Sequence, residues 1–267
     1  MSDASAVPLH VVQITDTHLY AQAGGRLLGL DTDESLRQVV GKVAAGPRPD
    51  LVVATGDLAH DGSAAAYARL RQHFGRLDAP VYCLPGNHDD AGRLADACDQ
   101  PPFHCTSALR VGGWQLLFLD STVPGSEGGH LKERELAALD RSLSAHPDTP
   151  ALVWLHHQPL PIGSPWLDTM AVDNGEQLFA VIDRHPQVRA LVWGHIHQVF
   201  EQRHRDLRLL ATPSTCIQFE PDSEDFSIDL LPPGYRWLQL RPDGGLETGV
   251  ERLAGIPGDV DLNLRGY

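Results

Sequence analysis

The sequence has no apolar run of 18 residues, only four cysteines and fewer basic than acidic side chains. Without such a run, no membrane-spanning helix is predicted. The cysteines form no CxxC pair, so reduced thiols are a simpler prediction than a disulfide framework. The formal net charge of −14 argues against a nucleic-acid-binding surface, because phosphate backbones require a basic face.

Two sequence signatures are also missing. The first residues carry no basic segment followed by an apolar one, so no secretory signal is predicted and we expect a cytoplasmic protein. The glycine-rich stretch 125–129 lacks the Lys-Ser/Thr ending of a P-loop, which argues against a phosphate role for it. The 267 residues contain no internal repeat or long linker, so one globular domain over 1–267 is expected.

What the sequence does contain is a repeated pattern in which a short apolar strand is followed at once by polar residues. In the central example, the apolar run 80–84 leads into Pro85 and Gly86, which favour a tight turn. Asn87 and His88 should therefore lie on a loop at the carboxyl end of a buried strand. Open α/β sheets place their ligand sites at that end.

The same pattern recurs at four other strands. The polar residues that follow them are Asp16 and His18, then Asp57, then the pair His156 and His157, and finally His195 and His197. In an extended chain, residues two positions apart share a face, so each spaced pair points one way. Each cluster taken singly is also compatible with an ordinary polar turn.

Taken together, the strand ends offer a mixed set of oxygen and imidazole ligands without a thiolate. Its members are Asp16, His18, Asp57, Asn87, His156 or His157, His195 and His197. Such ligands suit manganese, iron, zinc or cobalt. Seven side chains are too many for one ion and fit two ions that share a carboxylate, an arrangement that suits phosphoryl chemistry.

In order and spacing, these clusters resemble the five motif blocks of the calcineurin-like metallophosphoesterase superfamily over residues 9–200. A narrower resemblance is to the bacterial class III 3′,5′-cyclic-AMP phosphodiesterases, the CpdA or Icc group. It runs over nearly the full length and rests on the stretches 26–29, 82–85, 156–161, 194–198 and 212–219.

The superfamily's fold and ligand scheme follow from this resemblance as expectations. The fold would be α/β, a four-layer α/β/β/α sandwich of two mixed sheets flanked by helices, with metals at the strand carboxyl ends. A mostly β segment, 201–267, would complete the fold and the rim of the site. One metal would be held by Asp16, His18 and His197, the other by Asn87, His156 and His195, with Asp57 bridging both.

The resemblance also implies an activity, the hydrolysis of 3′,5′-cyclic AMP to 5′-AMP by a metal-bridging hydroxide. Iron and manganese are the expected metals, with zinc and cobalt as alternatives. His88 would protonate the leaving 3′-oxygen, Asn87 would assist it, and Asp89 would orient His88 or cap the loop. The alternatives are another phosphodiesterase or phosphomonoesterase, such as a glycerophosphodiesterase, and a non-catalytic scaffold.

Substrate contacts are the least determined part of these expectations. The partner would be a small cyclic nucleotide, with no nucleic acid or membrane, and a homodimer is left open. The residues expected to contact substrate are Asn87, His88, His157, Ser214, Thr215 and Phe219. The alternative for the stretch 212–219 is a strand packed under the site, with Trp166 and His60 as rival rim residues.

Overall fold

The computed structural model describes residues 7–98 and 100–262. The helices are α1 (Thr32–Ala45), α2 (Ala64–Phe74), α3 (Ala91–Ala97), α4 (Glu133–Ala145), α5 (Pro165–Asp168) and α6 (Gly175–Ile182). The first strands are β1 (Leu9–Ile14), β2 (Arg26–Leu27), β3 (Leu30–Asp31), β4 (Leu51–Thr55), β5 (Val81–Leu84), β6 (Phe103–His104), β7 (Ala108–Val111) and β8 (Trp114–Phe118). The later strands are β9 (Ala151–Trp154), β10 (Val188–Trp193), β11 (Phe200–His204), β12 (Leu207–Ala211), β13 (Gln218–Phe219), β14 (Ile228–Asp229), β15 (Gly234–Leu240) and β16 (Leu246–Arg252).

Two large mixed sheets form the centre of the described structure. The first has the order β16-β15-β1-β4-β5-β6, in which the four strands from β1 to β6 run parallel and β15 and β16 are antiparallel additions. The second has the order β11-β12-β10-β9-β8-β7, with four parallel strands between two antiparallel edge strands. Parallel strands end at the same edge, so both sheets present a carboxyl edge for a site.

Three apolar clusters pack these sheets into layers. One cluster lies between the sheets and joins residues such as Val53 of β4 and Trp154 of β9. A second packs α1 and α2 on the outer face of the first sheet, and a third packs α4 and α6 on the outer face of the second. The predicted four-layer α/β/β/α sandwich is confirmed. The mostly β segment after residue 200 is divided between both sheets.

Capping side chains mark the starts of three of the six helices. Asp31 caps α1 by accepting a hydrogen bond from the Glu34 N–H, and Ser63 caps α2 in the same way from Ala66, both as the sequence predicts. The sequence also predicts an irregular segment from Ala91 to Cys105, and this is wrong. Asp90 caps α3, whose seven residues bury only Leu94. So short a helix shows no hydrophobic period to detect.

A buried polar network joins the two sheets near their carboxyl edges. The Gln13 side chain, on β1, donates to Thr55 Oγ1 at 2.8 Å and to the Trp193 carbonyl of the second sheet at 3.1 Å. Arg236, on β15, has no exposed surface and donates to Thr212 Oγ1 and the Ala211 carbonyl. These bonds fix the strand ends that carry the polar clusters.

Among the described residues, no helix has the length and apolar character to cross a membrane.

Candidate metal centre

The five polar clusters lie side by side at the carboxyl edges of the two sheets. Backbone hydrogen bonds continue the strand pairing into the turns, because the Asp16 N–H donates to the Gly56 carbonyl and the His18 N–H to the Asp57 carbonyl, at 3.0 and 2.9 Å. In the second sheet, the Gly194 N–H donates to the His156 carbonyl at 3.2 Å. The His195 N–H crosses to the first sheet and donates to the Asp16 carboxylate at 3.1 Å.

The residues of these turns adopt an uncommon backbone conformation. Positive φ angles between 43° and 64° occur at five of them, namely Asp16, His18, Asp57, His195 and His197. Each such residue costs about 1–3 kcal/mol and persists where the surrounding structure imposes it, often at functional sites. The conformation turns these side chains toward one another at the point where each strand ends.

Two glycines permit the close approach of the turns. A Cβ atom on Gly86 would overlap the Asp57 backbone and carboxylate and would lie 2.8 Å from His156 Cε1. A Cβ atom on Gly194 would overlap Thr15 Oγ1 and lie 2.7 Å from Asp16 Oδ2. Glycine is therefore required at both positions for the clusters to meet.

One half of the centre combines Asp16, His18 and His197. His197 Nε2 lies 3.5 Å from Asp16 Oδ1 and 3.3 Å from His18 Nε2. His197 Nδ1 donates to the Ile217 carbonyl at 2.8 Å, so its Nε2 carries the lone pair that faces the cluster. All three side chains are completely buried.

The other half combines Asn87, His156 and His195. His156 Nδ1 donates to the Thr55 carbonyl at 2.8 Å, which directs Nε2 toward the cluster, 3.1 Å from Asn87 Oδ1. The His195 ring centroid lies 5.0 Å from that of His156. Asp57 lies between the halves, with Oδ2 3.3 Å from His156 Nε2 and 3.7 Å from His18 Nε2.

This arrangement fits bound cations. Lone pairs of oxygen and nitrogen converge here, and Asp57 Oδ2 and both ring nitrogens of His195 are buried without a hydrogen-bond partner. Buried polar atoms are normally partnered, so such orphans suggest a missing ligand. Two ligands about 2.0–2.2 Å from one ion lie roughly 3–3.4 Å apart, close to the separations described here.

The same crowding shifts the ionisation of the centre. Burial lowers the pKa of His195 and of His18 well below the ordinary value, which keeps both rings neutral and able to bind a metal. Burial acts in the same direction on His156, but the Asp57 carboxylate outweighs it and raises the pKa of His156 to about 9. Burial would raise the pKa of Asp57, yet neighbouring histidines, His156 foremost, hold it well below its usual range.

His88 lies beside the centre and is half-buried. Its Nδ1 donates to the His60 carbonyl at 3.4 Å, and its ring stacks on the His60 ring with centroids 4.6 Å apart. Asp89 does not orient His88. Its carboxylate accepts hydrogen bonds from the Leu58, Ala59 and Gly86 N–H groups and from Tyr67 Oη, so it caps the loops, the other role that the sequence left open.

Four of the residues predicted to contact substrate are buried behind the cluster, and their contacts with substrate stay a prediction. His157 Nδ1 accepts from Ser121 Oγ at 2.8 Å and its Nε2 donates to the Glu127 carbonyl at 3.2 Å, so both nitrogens are engaged. Ser214 Oγ donates to the Asp16 carbonyl. Thr215 has no exposed surface, and the Phe219 ring, 1% exposed, stacks on His197 at 4.4 Å.

Of the two rival rim residues, His60 is half-buried against His18 and His88, whereas Trp166 packs on Phe219.

Sequence reasoning missed Cys216. Its Sγ lies within 4.8 Å of a ring nitrogen of both His18 and His197, and it contacts Ser214 Oγ at 3.0 Å. Burial raises the pKa of this thiol to about 12. A cysteine outside the strand-end pattern gives no sequence signal of this placement.

The sequence profile described as calcineurin-like phosphoesterase matches residues 9–199, which is most of the chain. The chain belongs to this family. The family has a dinuclear metal centre, in accord with the clusters described above.

Curated relatives are similar over nearly their whole length. A 3′,5′-cyclic adenosine monophosphate phosphodiesterase CpdA of Pseudomonas aeruginosa is 44% identical over 100% of this chain and 97% of its own. The enzyme of the same name in Escherichia coli K12 is 41% identical over 99% of this chain and 97% of its own. A Nostoc protein named 3′,5′-cyclic-nucleotide phosphodiesterase is 38% identical over 92% of this chain and 93% of its own.

Solved structures share the fold at low sequence identity. A dimetal phosphatase from Danio rerio superposes with a TM-score of 0.64 at 15% identity and covers 90% of this chain and 98% of its own. A purple acid phosphatase from yellow lupin superposes with a TM-score of 0.66 at 12% identity, covering 97% of this chain and 53% of its own. These likenesses concern the fold alone.

Proposed function

We propose that this protein is a metal-dependent phosphodiesterase that hydrolyses 3′,5′-cyclic AMP to 5′-AMP. The observation that carries the proposal is the similarity, at 44% and 41% identity over almost the full length of both chains, to two relatives named as cyclic-AMP phosphodiesterases. The cluster of converging, unpartnered lone pairs supports it, because such a cluster suits metal-dependent phosphoester chemistry.

Two ions would be held by the seven candidate ligands. Asp16, His18 and His197 would bind one ion, and Asn87, His156 and His195 the other. Asp57 would bind both, because its Oδ2 lies between His18 and His156. Iron and manganese are the metals that we expect, with zinc and cobalt as alternatives, since imidazole and carboxylate ligands suit all four.

When bound, such ions lower the pKa of water and offset the charge of the phosphoryl group. The protein's own contribution to bond cleavage would come from His88, which lies beside the centre without being one of the seven ligands. Its Nδ1 is held by the His60 carbonyl, so Nε2 is the atom that we expect to deliver a proton. That proton would go to the 3′-oxygen as its bond to phosphorus breaks.

Asn87 would serve both the metal and the phosphoryl group, since its amide points toward His156 while the residue stays partly exposed. A homodimer and a cytoplasmic location stay predictions.

The experiment that tests the activity is chromatography of the products formed from cyclic AMP and cyclic GMP by the metal-loaded protein. Release of 5′-AMP from cyclic AMP is the expected result. No release of 5′-AMP, together with brisk hydrolysis of glycerophosphodiesters or phosphomonoesters, would show that the protein is a phosphoesterase whose substrate is not cyclic AMP. Release of 3′-AMP would show that the 5′-oxygen, and not the 3′-oxygen, is the leaving group.

A further inference from the structure

A groove with a volume of about 420 Å³ borders the candidate metal centre. One wall is the segment 86–93, which includes Asn87 and His88, and the other is the loop 122–125. Pockets for small molecules typically have volumes of about 300–1,000 Å³. The groove is therefore large enough to take part of a substrate.

Exposure indicates that substrate approaches the centre from this groove. The carboxylate and imidazole candidate ligands are at most 1% exposed. Asn87 and His88, which line the groove, are only half-buried. A larger cavity of about 640 Å³ is lined by residues of α1, β1, β15 and β16 and by none of the candidate ligands, so it does not open on the centre.

The chemistry of the leaving group points the same way. If His88 protonates the 3′-oxygen, the ribose attached to that oxygen must lie on the His88 side of the phosphorus. We propose that the groove, called here the nucleoside groove, binds the ribose and base of a nucleotide substrate. This proposal rests on the proposed phosphodiesterase activity and adds the part of the site that recognises the nucleoside.

The two walls suit a flat heterocycle. Val123 and Pro124 provide carbon surface on one side. Arg93 lies on the other side, where its Nη1 donates to the Gly62 carbonyl at 3.1 Å and its Nε lies 3.8 Å from Asp90 Oδ2. Guanidinium groups stack on aromatic faces, so Arg93 can cover a base whose other face rests on the apolar wall.

A bulky side chain in the groove tests the proposal. Ala91 is exposed, begins α3 and lines the groove, whereas Ala95 is exposed on the same helix and does not line it. In Ala91→Trp, the ratio of kcat/KM for cyclic AMP to kcat/KM for methyl 4-nitrophenyl phosphate should fall about tenfold or more. In Ala95→Trp, the ratio should equal that of the wild type. Equal ratios in the two variants would overturn the proposal.

A second readout does not depend on turnover of cyclic AMP. Inhibition of methyl 4-nitrophenyl phosphate hydrolysis by 5′-AMP is compared with inhibition by inorganic phosphate, which lacks a nucleoside. The advantage of 5′-AMP over phosphate should vanish in Ala91→Trp and remain in Ala95→Trp. If it remains in both, the groove does not bind the nucleoside. If the wild type fails on cyclic AMP yet shows this pattern, only the proposed reaction fails.

A second pair of variants guards against misfolding of the first. Val123→Trp fills the groove from the opposite wall, and Glu127→Trp alters an exposed position on the same loop outside it. Circular dichroism and metal content establish that each variant is folded and loaded. The substrate ratio should fall in Val123→Trp and not in Glu127→Trp, and the opposite pattern would contradict a nucleoside site here.

Discussion

Asp57 presents one buried carboxylate oxygen to histidines that follow strands of both sheets, and its other oxygen accepts the His88 N–H at 2.9 Å. We predict that Asp57→Ala loses activity and most of its bound metal, because one carboxylate would serve both ions. Metal content, measured by mass spectrometry on the purified variant, checks this. Two ions retained per chain would show that Asp57 is not shared.

A matched control is Asp140→Ala. Asp140 also pairs with a histidine, His185, at 2.7 Å, but it lies on the exposed face of α4, and its neighbours His185 and Arg184 lower its pKa. Its removal should leave metal content and activity as they are. A similar loss of metal in both variants would point to general destabilisation.

His88 permits a separate test of proton delivery. We predict that His88→Ala keeps its metals and hydrolyses cyclic AMP about 10²–10⁴-fold more slowly, the usual contribution of a general acid. The loss should be much smaller for a 4-nitrophenyl ester, whose leaving group needs no proton. His130→Ala, which removes a histidine paired with Asp173, is the control. An equal loss of rate on both substrates would show that His88 is not the general acid.

The turns that end the strands depend on contacts between strands rather than on their own propensity. Gly194 lies against Thr15 and Asp16 of the neighbouring sheet, so a methyl group there must push the two turns apart. We predict that Gly194→Ala lowers the free energy of unfolding by about 1–3 kcal/mol, the usual cost of overpacking. It should also weaken metal binding, because Asp16 and His195 would move.

The control for this change is Gly41→Ala, in the exposed middle of α1, where an added methyl group meets no atom within 4 Å beyond the helix's own backbone. Alanine there should stabilise the protein by about 0.5–1 kcal/mol, since it favours the helix. Urea unfolding of both variants, read by circular dichroism, gives the comparison. Tolerance of Gly194→Ala without loss of stability would contradict the close packing of the turns.

The buried network around Arg236, together with apolar contacts, fixes the position of one sheet relative to the other. Arg236 donates to the Ala211 carbonyl at 2.8 Å and to Glu201 Oε1 at 2.9 Å. We predict that Arg236→Met costs about 1–3 kcal/mol, because it leaves the buried Ala211 carbonyl without this donor. Urea unfolding and metal affinity should both register the change.

Arg241→Met is the matched control on the end of the same strand pair. Arg241 pairs with Glu247 at the surface, 46% and 61% exposed, and exposed pairs contribute at most about 1 kcal/mol. If Arg236→Met is as mild as Arg241→Met, the network does not set the relation between the sheets.

Much of the architecture is legible in the sequence because its causes are local. An apolar run such as 51–54 favours a buried strand, and Asp31 or Ser63 marks where a helix begins, whatever lies elsewhere in the chain. Parallel strands share a carboxyl edge, so polar residues at strand ends are expected to meet there. Local signals thus predict the buried strands, the helix starts and the polar clusters at one edge. The four-layer arrangement was expected from the resemblance to the family and is confirmed, and the seven candidate ligands stay a prediction.

The tertiary structure decided what depends on packing between distant segments. His156 and His157 are adjacent in sequence, yet only His156 faces Asp57, because hydrogen bonds from Ser121 and to Glu127 engage His157. The stretch 214–219 goes beneath the cluster rather than to its rim, which brings Cys216 beside His18. The nucleoside groove forms between the segments 86–93 and 122–125, which are distant in the chain, and no local pattern of sequence encodes such a meeting.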